Sequence, residues 1–159
     1  MTPRPGSQCR ADVHLIGALL YSATADATAV LADVLDDDVE SRALAVVLAA
    51  VRRLNAVGAR HDPVLVLDEL RRTGDVSQRG VTDALNAAAT CGAEPLAAPQ
   101  YATAVVAAAL RREFESAGTA LRSLAAEAPE EDLIERANVM ARMIGDCAAR
   151  LERLRQEDT

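Results

Sequence analysis

Two long stretches of this chain place apolar residues at alternating steps of four and three, and one short link containing a proline separates them. The first stretch, from Gln100 to about Ala126, carries Leu110, Phe114, Ala117, Leu121 and Leu124. The second, from Glu130 to about Arg155, carries Leu133, Ala137, Met140, Ile144, Cys147, Leu151 and Leu154. Steps of 4 and 3 are the a and d positions of a coiled coil, which put one apolar stripe on each helix. Neither stretch contains proline, and the link Ala126-Glu127-Ala128-Pro129 is short enough to turn the second helix back on the first. The spacing therefore predicts a long antiparallel helical hairpin over residues 99–155.

Two arms can cover one stripe on each other. The first arm has more apolar surface than that: Val105, Val106 and the run Ala107-Ala108-Ala109 lie off the seam. Either the arm packs back on the N-terminal helices or it meets another chain. The second alternative is the expectation, most simply as a twofold homodimer using the same patch on both subunits. The interface residues expected on this basis are Val105, Val106, Leu110, Phe114, Ala117, Leu121, Leu124, Leu133, Ala137, Met140, Ile144 and Leu151. Phe114, the only phenylalanine, is the expected anchor, and Val106 the expected outer position where a charge gives a folded monomer.

The remaining sequence reads as short helices. With 50% hydrophobic residues and only 2% aromatic, the core must be built from Ala, Leu, Val and Ile, and Ala and Leu are strong helix formers. Residues 1–10, with Pro3, Pro5 and Gly6, are expected to be a flexible lead-in. Residues 11–98 are expected to form a globular helical subdomain, and 156–159 a polar tail. Asp12 and Asp26 are candidate caps for two helices with inner faces Val13, Ile16, Leu19 and Leu20, then Val30, Leu31, Val34 and Leu35. The run Asp36-Asp37-Asp38-Val39-Glu40 lacks the ligand alternation and glycine of a calcium loop. It reads instead as a solvated loop whose charge favours the next helix N-terminus. Ser41 caps a helix ended by Gly58. Asp62-Pro63 starts another, with Val64, Leu67 and Leu70 inward, that ends at Thr73-Gly74. A further helix covers about Val81 to Ala89, and residues 91–100 form a loop. The fold class is all-α, a small globular bundle followed by the hairpin.

Catalysis finds no foothold. The histidines are His14 and His61 alone. His14 has Cys9 as its nearest possible co-ligand, too few for a metal site, and His61 reads as a turn residue. Cys9, Cys91 and Cys147 form no CxxC pair or zinc pattern; Cys147 falls on the apolar stripe as a small hydrophobe. There is no lysine, hence no GxxxxGK(S/T) phosphate loop. No catalytic, cofactor-binding or metal residue is assigned, and a non-enzyme is expected. The net charge of −7 disfavours direct nucleic-acid binding. The Arg52-Arg53, Arg71-Arg72 and Arg111-Arg112 pairs read as solvated helix faces. The apolar piece Leu15–Tyr21 is too short to span a bilayer and lacks a signal-peptide pattern, so no membrane and a cytoplasmic location are expected.

The order of elements resembles the N-terminal domain of the bacterial replicative DNA helicase of the DnaB type. Leu15-Ile16-Gly17-Ala18-Leu19-Leu20 is similar to that domain's opening LGaLL helix. Val64 to Gly74 resembles its (V/I)TVAEELxxxG helix, Gly80 matches one glycine of its Gly-Gly, and Tyr101-Ala102 with Val105 and Leu110-Arg111-Arg112 resembles YAxxVxxxxxLR. The colinear series runs from about residue 12 to 155. There are departures: Asp37-Asp38-Val39 stands near the family's Phe-Tyr, Leu44 near its His, Arg60 near its Pro and Arg79 at its second Gly. The resemblance implies a collar-type domain without the motor, either free-standing or a fragment of a longer helicase, and a non-catalytic protein-protein interaction module. Its implied partners are itself and a replicative helicase, primase or loader. The alternative is a homodimeric structural protein that kept the fold without a replication role.

Overall fold

The computed structural model describes residues 5–157, with side chains described from residue 11 to residue 156. Seven α-helices and no strand occur among the described residues: α1 (Pro5–Tyr21), α2 (Thr24–Asp33), α3 (Arg42–Ala56), α4 (Pro63–Thr73), α5 (Val81–Thr90), α6 (Ala98–Glu127) and α7 (Glu130–Glu157). The first five form a body, with 3-10 turns in the α2–α3 and α4–α5 links, and α6 and α7 form the hairpin.

Local signals explain most of the boundaries. The Ser41 hydroxyl accepts from the Leu44 amide at 3.4 Å and opens α3. Asp62 accepts from the Val64 and Leu65 amides at 3.1 and 3.2 Å, and Pro63 occupies the first turn of α4. Gly74 closes α4 at φ +81°, a left-handed conformation costly for any residue with a Cβ. Gly17 has a different reason. A Cβ there would lie 2.5 Å from Cys91 Sγ and 2.6 Å from the Ala88 carbonyl oxygen. Only glycine lets α1 lie this close to the end of α5.

Several expectations are corrected. Helix α1 begins at Pro5, inside the segment read as a lead-in; residues 1–4 and the Cys9 side chain lie outside the described residues. Asp12 is not a cap. It sits inside α1, 3% exposed, and accepts the Glu40 amide at 3.1 Å. Helix α2 starts at Thr24 with Ala23 before it, so Asp26 lies in its first turn rather than at its cap. In α4, Val66 and Leu70 point inward, while Val64 is 75% exposed. The expected loop 91–100 is shorter, because a 3-10 turn at Pro95–Ala97 runs directly into α6. Helix α7 continues through Gln156 and Glu157, the start of the expected tail; residues 158 and 159 lie outside the described residues.

The largest correction concerns the root of the hairpin. Val105, Val106, Leu151 and Leu154 are buried in the body's core together with Leu15, Ile16, Leu19, Leu48 and Val51. Cys147, also buried, directs its sulfur at the Val106 carbonyl. The apolar residues beside the seam are thus covered by the chain's own α1 and α2, the alternative set aside above. Val105, Val106 and Leu151 cannot be intermolecular contacts, and a charge at Val106 would break the core rather than yield a folded monomer.

Candidate functional site

The acidic run before α3 is only in part a solvated loop: Asp37 and Glu40 are exposed, but Asp38 is buried. It forms a 3-10 turn, Asp36–Asp38, and four arginines hold this turn together with the end of α2. Arg150 from α7 donates to both carboxylate oxygens of Asp38 and to the Asp33 carbonyl, the last at 3.0 Å. Arg112 from α6 donates to the Asp38 carbonyl at 2.6 Å. Arg153 pairs with the Asp33 carboxylate at 2.6 Å. Arg52 from α3 reaches the Leu31 and Val34 carbonyls at 2.8 and 2.6 Å and the Asp36 carboxylate at 3.1 Å. The end of α2 leaves carbonyls without helical partners, and arginine, with five donors in a planar fork, serves several at once. Arg52 and Arg112 are therefore structural, not a solvated face, and the hairpin is latched to the body through both of its helices.

Beyond this root the hairpin projects. Counting back equally from the turn at Ala128-Pro129, Leu124 stands level with Leu133, Ala120 with Ala137, Ala117 with Met140 and Glu113 with Ile144. All eight are half-buried, so this is the seam between the arms. Ala117, Leu124, Leu133, Ala137, Met140 and Ile144 thus belong to the chain's own packing, and Leu110 packs on the body's core. Phe114 and Leu121 do not: they are 58% and 44% exposed. The expected seam on the first arm mixed two stripes, taking Ala117 and Leu124 from the true seam and Phe114 and Leu121 from the stripe beside it.

The second stripe is the unfilled one. Phe114, Gly118, Leu121 and Ala125 line it on α6, and Ile134, the polar Asn138, Ala141 and Gly145 on α7. In heptad terms these are e and b positions, beside the a/d seam. Because the arms are antiparallel, both stripes open on the same side of the hairpin. Ile134 is 71% exposed, and a Cβ on Gly118 or Gly145 would meet nothing within 4 Å. Val139 and Met143, also exposed, lie on the opposite flank of α7. Gly118 and Gly145 are the residues the sequence reading missed. Each weakens a helix interior by about 0.5–1 kcal/mol relative to alanine, and nothing within the chain requires them.

Two titratable side chains elsewhere have defined surroundings. His61 is buried at the start of α4, and burial lowers its pKa, opposed by the backbone of His61 and Leu19. His14 lies against the Tyr101 ring, with centroids 5.4 Å apart. Among the described residues no group of three or more His, Cys, Asp and Glu side chains is placed to hold a metal ion, and no helix is long and apolar enough to cross a membrane.

A five-helix body followed by a latched, projecting hairpin has a close parallel. The chain is similar to the N-terminal domain of DnaB helicase. The crystal structure of that domain from Mycobacterium tuberculosis matches with a TM-score of 0.75 and 26% identity, over 85% of this chain and 95% of that one. No family model and no curated protein matches. Two departures from the DnaB-type pattern now have structural content. Asp38 and Val39, near the family's Phe-Tyr, are both buried, with Asp38 held by Arg150. Leu44, near the family's His, is also buried.

Proposed function

We propose that this chain is a non-catalytic interaction module of the DNA-replication machinery that works by helix-to-helix docking of its hairpin. The observation that carries this reading is the unfilled stripe Phe114-Gly118-Leu121-Ala125 beside Ile134-Ala141-Gly145, on a fold similar to a helicase N-terminal domain. An exposed apolar stripe bordered by polar residues is the form of a protein-docking surface, and helix glycines let a second backbone approach closely. The partners are a second copy of the chain and a replicative helicase, primase or loader.

The test uses the purified full chain, wild type and Phe114→Asp, with the purified replicative helicase and primase of the same organism. Phe114 is exposed, so the variant should fold. Binding of helicase or primase by the wild type and its loss in Phe114→Asp is the expected result. Absence of binding to either, with self-association intact, overturns the replication reading and leaves a homodimeric structural protein.

A further inference from the structure

His61 is buried without a polar partner. It is 2% exposed, and neither ring nitrogen has a hydrogen-bond partner among the described residues. Nearly all buried polar groups in folded proteins are paired, and an unpaired one costs stability. The position of the ring gives it a structural task. Of the residues 57–62 that link α3 to α4, His61 is the only buried one, so its side chain is what holds this link against the end of α1.

An open space adjoins it. A cavity of about 230 Å³ lies between the α1–α2 turn and this link, lined by Leu20 to Thr24 on one side and by Arg60, His61 and Asp62 on the other. At about 30 Å³ per water, it has room for several waters or for the imidazole itself. Few charges face the ring. Asp62 acts on it, and the backbone of Leu19 and of His61 itself acts on it without reaching hydrogen-bond geometry. Arg60, 83% exposed, faces Asp62 at 3.5 Å. The α1–α2 side of the cavity carries no charge, and the Tyr21 hydroxyl donates to the Ala89 carbonyl at 3.0 Å. Inward, then, the ring packs on the end of α1 away from water. Outward, in the cavity, it would give up that packing and gain water and the Asp62 carboxylate. A neutral imidazole loses little by being dry, whereas an imidazolium, with a charge and two N–H donors, loses much. Burial accordingly lowers the pKa of the ring from 6.5.

We propose that His61 is a proton-operated plug: neutral, it seals the α3–α4 link to the end of α1, and protonated, it swings into the neighbouring cavity and releases the link. The sign of the pH dependence is fixed. Stabilisation by the inward ring is complete above about pH 6.5 and is lost as pH falls toward the lowered pKa. Within that window each pH unit shifts the balance about tenfold toward the outward ring.

Amide hydrogen exchange and ring NMR on the full chain, at pH values from about 8 down to about 5, test it. His14 and His61 are the only histidines, so a His61 variant assigns both ring signals. The hydrogen-bonded amides of Ser22, Gly58 and Ala59 report on the turn and the link. After correction for the intrinsic pH dependence of exchange, their protection should fall by about tenfold per pH unit as the His61 signal titrates. The interiors of α3 and α5 should stay protected. His61→Leu keeps an apolar plug in place. It should remove the pH dependence and melt no lower than the wild type at neutral pH, because it replaces groups left unpaired. His61→Gln, which has no titrating group, should remove the dependence too and serves where the leucine variant fails to fold. Protection at Ser22, Gly58 and Ala59 that is unchanged across the range overturns the proposal. So does a pH dependence that persists in either variant. A loss of protection shared by the whole body also overturns it, since that is global unfolding and not release of one link.

Discussion

Replacing Asp38 by alanine should be among the most damaging single changes available in this chain. Its carboxylate is 6% exposed, against 13% for the side chain of Arg150, and both its oxygens accept from that guanidinium. Removing one member of a buried pair costs about 3–5 kcal/mol, because the other charge stays buried without compensation. Arg150 retains the Asp33 carbonyl at 3.0 Å, which places the expected cost at the lower end, about 3 kcal/mol. The Leu35 amide also loses its 2.7 Å acceptor, but Leu35 is 49% exposed and water can replace it. At about 2–4 °C per kcal/mol for a chain of this size, the melting temperature should fall by roughly 6–12 °C. Thermal and guanidinium unfolding followed by circular dichroism measure it. Arg150→Met should be comparably harmful, and the double variant should be less harmful than the sum, with a coupling of about 1–3 kcal/mol. A solvated acidic loop would give changes within about 0.5 kcal/mol. A fall of less than about 2 °C, or additive single variants, refutes the latch.

Further outcomes follow from other sites. Glu69, held between Arg72 and Arg53, has its pKa lowered from 4.5 to about 2; its stabilisation is complete above 4.5 and lost as pH falls toward 2, so the gap between wild type and Glu69→Gln should close over that window in thermal melts. Burial raises the pKa of Asp12 above 3.8, so the fold favours its protonated form and loses that advantage as pH rises through the raised value; Asp12→Asn, whose amide oxygen still accepts the Glu40 amide, should melt higher than the wild type at pH 7 and no higher below about pH 3.8. Gly17→Ala should cost about 1–3 kcal/mol in denaturant unfolding by overpacking, because the Ala88 carbonyl 2.6 Å from the new Cβ is backbone. Gly118→Ala should do the reverse for the isolated chain, raising helix stability by about 0.5–1 kcal/mol, while sedimentation shows weaker self-association; stronger or unchanged association would show that no backbone approaches there.

The hairpin was legible because its signal is local and repeated. Long proline-free stretches, a 4 and 3 spacing and one short link leave few other structures, and the Ser41 and Asp62-Pro63 caps act within four residues of themselves. Which apolar stripe meets what is a different kind of information. Glu113-Ala117-Ala120-Leu124 and Phe114-Ala117-Leu121-Leu124 are both valid periodicities on one helix. The sequence prefers the second because Phe and Leu are larger, whereas the register with α7 selects the first and leaves Phe114 outside. Val105 and Val106 read as surplus on a thin projection until α1 and α2 are laid over them.

Charge was the least legible property. Asp36-Asp37-Asp38 looks like a solvated run because its cations are remote in sequence, Arg150 lying 112 residues from Asp38. A salt bridge depends on distance in space, so no window along the chain contains it. The sequence by itself determined that the chain is helical, that it contains a long hairpin and that no GxxxxGK(S/T) motif is present, since propensity, periodicity and motif are all properties of neighbours. Only the tertiary structure decided which faces are spent on the chain's own core and which remain for a partner, because burial is set by what folds over a residue and not by the residue itself.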